Sequence, residues 1–452
     1  MVDSALDDLF AVDRDVARAF NALARWRARL ASDPEGCADE DPLLGLRHVA
    51  AKSTADALAQ QSASMADEAL RDALCQWVRA LVLARIELVD ELAHARAAAE
   101  TRGRFEGESP KRVSWREVWA GAALSKTPAE ARLWLRAAAD VAPPVASLRR
   151  IRAARRIEVA RRMSRAHPWD LLLPVTVASL RGAAGRLLDE TEDVWRAEQK
   201  AALGEGWDAA ATIHGAVARD ASEGWPGRLS AGWLEGVFGP GASGLPIRLD
   251  ALPRPVGAAS FARALCSFGF AVRVAMAPAS LPFALSQEPA FVSAYRLGFV
   301  FGSLAADSQL HLRVLQLGRR KAAAQARTLA RTALFEARLH AVRILLGDDA
   351  APPSSDLFTE LTERLFGLPL DGRFCGAWPV ARFDEPARLV ALLQAFGARE
   401  QLRERFDVDW FRNPRAWTHL RESAGAAREP IDERALSTAA PALARAFEEA
   451  LG

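Results

Sequence analysis

Apolar residues recur every three to four positions along most of this chain, a spacing that allows little besides amphipathic helices packed on one another. The pattern runs through about residues 5–30, 42–100, 113–122, 127–139, 145–166 and 169–202. Ala, Leu and Arg dominate and β-branched residues are few, which favours helix at nearly every position. The best strand candidate is LPIRLDALP (245–253), a short one. The expected class is all-α, with at most a short β-hairpin or small sheet.

Turn chemistry predicts breaks at SDPEG (32–36), RGRFEGESPKR (102–112), the pair Pro143–Pro144, and the Gly/Pro-rich segment 239–257. Lys126 to Glu130 reads as a helix start: Thr127 caps, Pro128 takes the first helical position, and Glu130 follows three residues after the cap. At 452 residues, half of them hydrophobic, the chain can bury a large core. Two regions are expected, 1–202 and 203–452, packed as one unit.

A formal net charge of +2 gives no general field for nucleic acid or anionic membrane. The basic stretch SLRRIRAARRIEVARRMSRAH (147–167) has eight Arg against one Glu but no aromatic residue for base stacking. An intramolecular acidic partner or a solvated face is its expected role, and the acidic run LDETEDVW (188–195) lies close behind it. No apolar run is long enough to span a bilayer, and the acidic, amphipathic start MVDSALDDLFAVDRD is unlike a secretory signal, so a cytoplasmic location without membrane contact is expected. Cys37, Cys75, Cys266 and Cys375 are scattered without a C-x-x-C pair and read as reduced small hydrophobes. Thirteen Trp against one Tyr read mainly as packing residues; Trp207, Trp225, Trp233, Trp410 and Trp417 belong to the C-terminal half.

Local pairings of catalytic type are weak. Glu87, Glu91 and His94 share a helix face, and Glu91-x-x-His94 is a di-iron type motif, but no second E-x-x-H exists to face it. Glu336 and His340, at i and i+4, read as a salt-bridged face. Cys266 and Ser267 have no neighbouring His or nucleophile elbow and read as helix packing.

One segment carries a family likeness. In the zincin motif H-E-x-x-H, two histidines one turn apart hold zinc and the Glu is the general base. Ala264 to Ala275, ALCSFGFAVRVA, resembles the helix x-L-H-E-x-G-H-A-L-H-x-A of oligopeptidase F-like and carboxypeptidase Taq-like metallopeptidases at Leu265, Gly269, Ala271 and Ala275. Cys266 and Phe270 then stand at the two His positions and Ser267 at the Glu position. Pro289 to Leu317 resembles the helix bearing the third zinc ligand, with Ser293 at that ligand's place. Residues 396–425 resemble the terminal G-x-x-W-F-x-N-P segment, with Asp407 at the Gly position. The stretch 383–394, where these enzymes carry oxyanion-stabilising Tyr or His, has neither.

The resemblance covers about 225–425 and implies a helical gluzincin fold around a channel, with no catalytic residue, metal or cofactor. The expected function is that of a pseudopeptidase binding a peptide or protein partner in the former channel, or acting as a scaffold. Two alternatives stand beside it: an active zinc peptidase assembling a dispersed site from residues such as His311, Glu336 and His340, and a weaker one, nucleic-acid association through 147–167. Oligomeric state is left unassigned.

Overall fold

The computed structural model describes residues 8–61, 65–217, 231–247, 258–347, 351–425 and 431–451. Helix α1 (Leu9–Leu30) is capped by Asp8, whose carboxylate accepts the Phe10 and Ala11 N–H groups. The run expected over 42–100 is divided into a 3₁₀ turn (Arg47–Ala50), α2 (Lys52–Gln60) and the long α3 (Met65–Glu100). Val16, Leu23, Leu58, Leu74 and Val78 from these helices pack into one buried cluster.

The predicted break at 102–112 is instead mostly an antiparallel hairpin, β1 (Arg102–Phe105) with β2 (Lys111–Ser114), Arg102 opposite Ser114. Alternation explains it: Gly103 and Phe105 face inward while Arg102 and Arg104 face water. Phe105 stacks on Trp134 with ring centroids 4.1 Å apart. A side chain at 103 would run into the Ala137 carbonyl, so glycine is what lets the strand lie on the next helix. Ser114 and Glu117 then form a capping box that opens α4 (Trp115–Leu124).

Helix α5 (Pro128–Arg162) starts where the sequence places it, with the Thr127 hydroxyl accepting the Glu130 N–H at 3.1 Å. It does not stop at Pro143–Pro144, which corrects the expected break. Both prolines lie on the exposed side, while Val141, Ala142, Val145 and Ala146 on the same two turns are buried. Burial of that apolar face outweighs the two ladder bonds the prolines remove.

The chain continues through α6 (Val177–Glu190), α7 (Glu192–Leu203), α8 (Ala209–Val217), α9 (Ala231–Phe238), α10 (Ala258–Ala275), the short α11 (Phe283–Ser286), α12 (Val292–Ser303), α13 (Ser308–Arg313), α14 (Arg319–Leu346), α15 (Ser355–Phe366), α16 (Glu385–Phe406), α17 (Pro414–Gly425) and α18 (Glu433–Leu451). Among the described residues the two-stranded hairpin is the only sheet, so the all-α class holds. Residues 245–247 of the expected strand carry no strand pairing, and 248–253 lie outside the described residues, as does Trp225.

Helix α14 is the axis of the C-terminal half, touching α6, α10, α13, α15, α16 and α18. Arg338, fully buried on it, donates to the Leu188 carbonyl, the Thr191 hydroxyl and Glu192, closing the C-terminal end of α6. Arg364 donates to Asp189 and Glu192, so the acidic run 188–195 is engaged by α14 and α15. The largest buried cluster draws on both halves, from Ala98 to Leu451. No helix among the described residues is long and apolar enough to cross a membrane.

Candidate functional site

Helices α10 and α12 run antiparallel in the most extensive helix–helix contact among the described residues, and three glycines set their spacing. A Cβ on Gly269 would meet the Leu297 carbonyl at 2.6 Å, one on Gly298 the Cys266 carbonyl at 2.9 Å, and one on Gly302 the Cys266 sulfur. Backbone therefore touches backbone at the turn that holds Cys266 and Phe270. Burial, reinforced by the Glu336 carboxylate, pushes the Cys266 thiol up to about 12, so it stays protonated and unreactive at neutral pH. Ser267 points to solvent. The Phe270 ring lies 5.7 Å from Phe291 and 5.1 Å from Tyr295. Ser293, on the first turn of α12, is fixed through its backbone N–H, which donates to Glu288 at 2.5 Å.

Phe291 and Tyr295 also line a cleft of about 720 Å³ between α12 and the helices α1 and α3. Phe291 takes a left-handed backbone, φ 54°, at the residue before α12. That geometry is strained for a bulky side chain and is held by ring contacts with Phe20 and Trp77. The segment leading into α12 is anchored from the other side: Asp13 accepts the Phe283 and Ala284 N–H groups at 2.8 and 2.7 Å, and the Trp77 indole donates to the Gln287 carbonyl at 3.0 Å.

The polar wall of the cleft is an ion-pair lattice. Arg27 holds Glu91 through two bonds of 2.8 and 3.0 Å, Arg152 bridges Glu91 and Glu87, and Arg156 donates to Glu87. Burial works against the Glu87 charge, but Arg156 and Arg152 outweigh it and hold the carboxyl below its usual range. The partner of the basic stretch 147–167 is thus α3, through Glu87 and Glu91 and an Arg155–Asp90 pair at 2.8 Å, rather than the run 188–195. Glu87, Glu91 and His94 share a face as expected, with the two carboxylates tied to guanidinium groups.

The chain matches no protein-family model and no curated protein.

The dispersed-site residues do not converge. His311 uses both ring nitrogens, Nδ1 on Gln325 at 3.1 Å and Nε2 on the Ala305 carbonyl at 2.7 Å. His340 lies fifteen residues beyond Gln325 on α14, about 22 Å along the axis at the helical rise. It pairs through Nδ1 with Glu385, and Arg343 approaches the same carboxylate at 3.6 Å. Among the described residues no group of three His, Cys, Asp or Glu side chains is placed to hold a metal.

Sequence reasoning missed Asp384 and Arg388. The hydroxyl of Tyr295 donates to Asp384 at 2.7 Å and accepts from Arg388 at 3.0 Å, with the Arg388 guanidinium over the phenol ring. The stretch 383–394, which lacks phenolic donors of its own, thereby engages the single tyrosine of the chain. Burial and the adjacent Asp384 carboxylate raise the phenol above its ordinary range. The i, i+4 spacing of Asp384 and Arg388 was the available signal.

Proposed function

We propose that this protein is a catalytically inactive relative of helical zinc peptidases that binds an extended, apolar-rich peptide segment in the cleft between α1, α3 and α12. The observation that carries the reading is Phe291: a strained aromatic residue on the cleft wall, packed against the Phe270 ring that stands where the resemblance expects a metal ligand. Backbone strain of this kind persists where the surroundings over-determine it, and binding clefts are such places. Phe20, Trp77, Phe291 and Phe383 supply flat apolar surface, and the paired charges of the wall leave the cleft without a dominant sign. The glycine-tight contact of α10 with α12, together with the protonated Cys266, supports the absence of hydrolysis.

The test is fluorescence titration with a panel of unstructured peptides, run beside zinc analysis of tag-free protein and a hydrolysis assay. The expected result is saturable binding of apolar peptides, no cleavage, no stoichiometric zinc, and loss of binding when Ala24→Trp fills the cleft. Peptide cleavage that disappears with a chelator or in His340→Ala would replace this reading with the dispersed-site peptidase.

A further inference from the structure

Asp384 stands immediately before α16, where an aspartate usually caps the helix, yet its side chain makes no capping bond. Pro386, two residues on, has no N–H to offer it. Its bonds converge on one oxygen instead. Oδ2 accepts the Tyr295 hydroxyl at 2.7 Å and the Arg388 Nε–H at 2.8 Å, and Arg388 closes the triangle by donating to the same hydroxyl at 3.0 Å. Oδ1 has no hydrogen-bond partner among the described residues. It is not sealed inside the protein, because 34% of the side chain stays exposed. Asp384 lines the cleft together with Tyr295, Phe291 and Phe383, so the open oxygen belongs to the aromatic end of the cleft.

The charged side chains elsewhere on the cleft wall are engaged. Arg27, Glu87, Glu91 and Arg152 hold one another, and Arg116 donates to the Leu30, Ala31 and Ala95 carbonyls. Burial works against the Asp384 charge, but Arg388 outweighs it and keeps the carboxyl below its usual range. Oδ1 is therefore an ionised acceptor at neutral pH, held in place before any ligand arrives.

We infer that Asp384 sets the register of a bound peptide by accepting one of its main-chain N–H groups at Oδ1. The inference rests on the peptide-binding reading of the cleft and names the residue that gives it specificity. A neutral N–H suits this oxygen better than a cation, since Arg388 already balances the carboxylate and would repel a second positive group. The bond to an ionised acceptor is of the stronger, charge-assisted kind. Successive N–H groups of an extended chain point to opposite sides, so one main-chain position meets Oδ1 and its neighbours do not.

The probe is an N-acetylated, C-amidated octapeptide of alternating leucine and serine with a single phenylalanine, whose ring fixes it against Phe291 and Tyr295. Each backbone amide is replaced in turn by an ester, which removes the N–H and keeps the chain geometry, and affinity is read by calorimetry. In wild type one ester position is expected to lose at least about tenfold, or ~1.4 kcal/mol, with little change at the positions beside it. Asp384→Asn can keep its carbonyl oxygen on Tyr295 and Arg388 and turn its NH₂ group to the cleft, so that donor faces donor. There the all-amide peptide should bind more weakly and the penalty at that ester position should vanish or reverse. Ester and amide are compared within each variant, so a change in the stability of Asp384→Asn leaves the comparison readable. Binding by wild type without an ester-sensitive position overturns this inference alone, as does a penalty that survives unchanged in Asp384→Asn. Binding only of the octapeptide with a free amino terminus would give Oδ1 an ammonium partner and overturn it too. A wild type that does not bind the octapeptide overturns the inference, and silence across the whole apolar panel removes the peptide-binding reading beneath it.

Discussion

Asp407 occupies a backbone conformation, φ 74° and ψ 173°, that only glycine adopts without strain. It sits where the likeness drawn from the sequence expects glycine, between α16 and the turn of Trp410 and Phe411. Its Oδ1 accepts the Val408 N–H at 2.7 Å, which offsets some of the strain. Asp407→Gly should therefore stabilise the protein by about 1 kcal/mol, read from urea unfolding; a loss of stability would mean that the carboxylate bond outweighs the strain. Gly298 and Gly302 make a sharper pair. Gly302→Ala should cost about 1–3 kcal/mol because its methyl meets the Cys266 sulfur, and most of that cost should vanish in a Cys266→Ala background. Gly298→Ala meets a carbonyl rather than a side chain, so Cys266→Ala should not rescue it. Equal rescue of both would refute the assigned contacts.

At the scale of elements, most helices were legible because each buries one stripe against a neighbour, and the Thr127–Pro128–Glu130 start was legible from local hydrogen bonding alone. Three features were not, for reasons that lie outside the local window. The prolines at 143 and 144 look like a stop until the buried face beside them is known; the hairpin 102–114 depends on Gly103 and Phe105 finding α5; and Arg152 and Arg156 find partners some sixty residues away on α3. The candidate site was legible as positions and illegible as contacts: the sequence put Cys266, Phe270 and Ser293 on two helices, whereas Asp384 and Arg388 emerged only from their bonds to Tyr295. The join between α14 and α16 gives a pH prediction. Burial opposes the Glu385 charge, but His340, Arg343 and Arg382 outweigh it and lower the carboxyl from 4.5 to about 2. Its contribution is complete above pH 4.5 and is lost as pH falls towards 2, because the unfolded chain takes up the proton first. Glu385→Gln should flatten stability across that window, followed by circular dichroism. At pH 7 it should cost about 3 kcal/mol or more by leaving buried positive charge uncompensated. An unchanged acid limb would remove Glu385 from the account.

For the whole molecule, the segment 283–291 ties the N-terminal helices to the rest. Asp13 is the acceptor for two main-chain N–H groups there, and Ala284 belongs to the buried cluster of α1 and α3. Asp13→Ala should cost about 2 kcal/mol or more, since it strips two donors of their partner, and should weaken peptide binding by releasing Phe291. Denaturation followed by tryptophan fluorescence reads the first effect and titration the second; a variant as stable as wild type would show that the aromatic contacts alone hold the two halves. Peptide binding and cooperative unfolding are thus expected to respond to the same substitution.

The glycine seam between α10 and α12 also sets a direction for change. A histidine at 266 would need the space in which Cys266 now touches Gly302, and the neighbouring turn is already closed by Gly269 and Gly298. Placing an imidazole at 266 would have to push apart a pair of helices whose backbones are in contact, so that step passes through a less stable protein. Such packing works as a ratchet: the seam resists the first step towards the chemistry that the sequence likeness suggests.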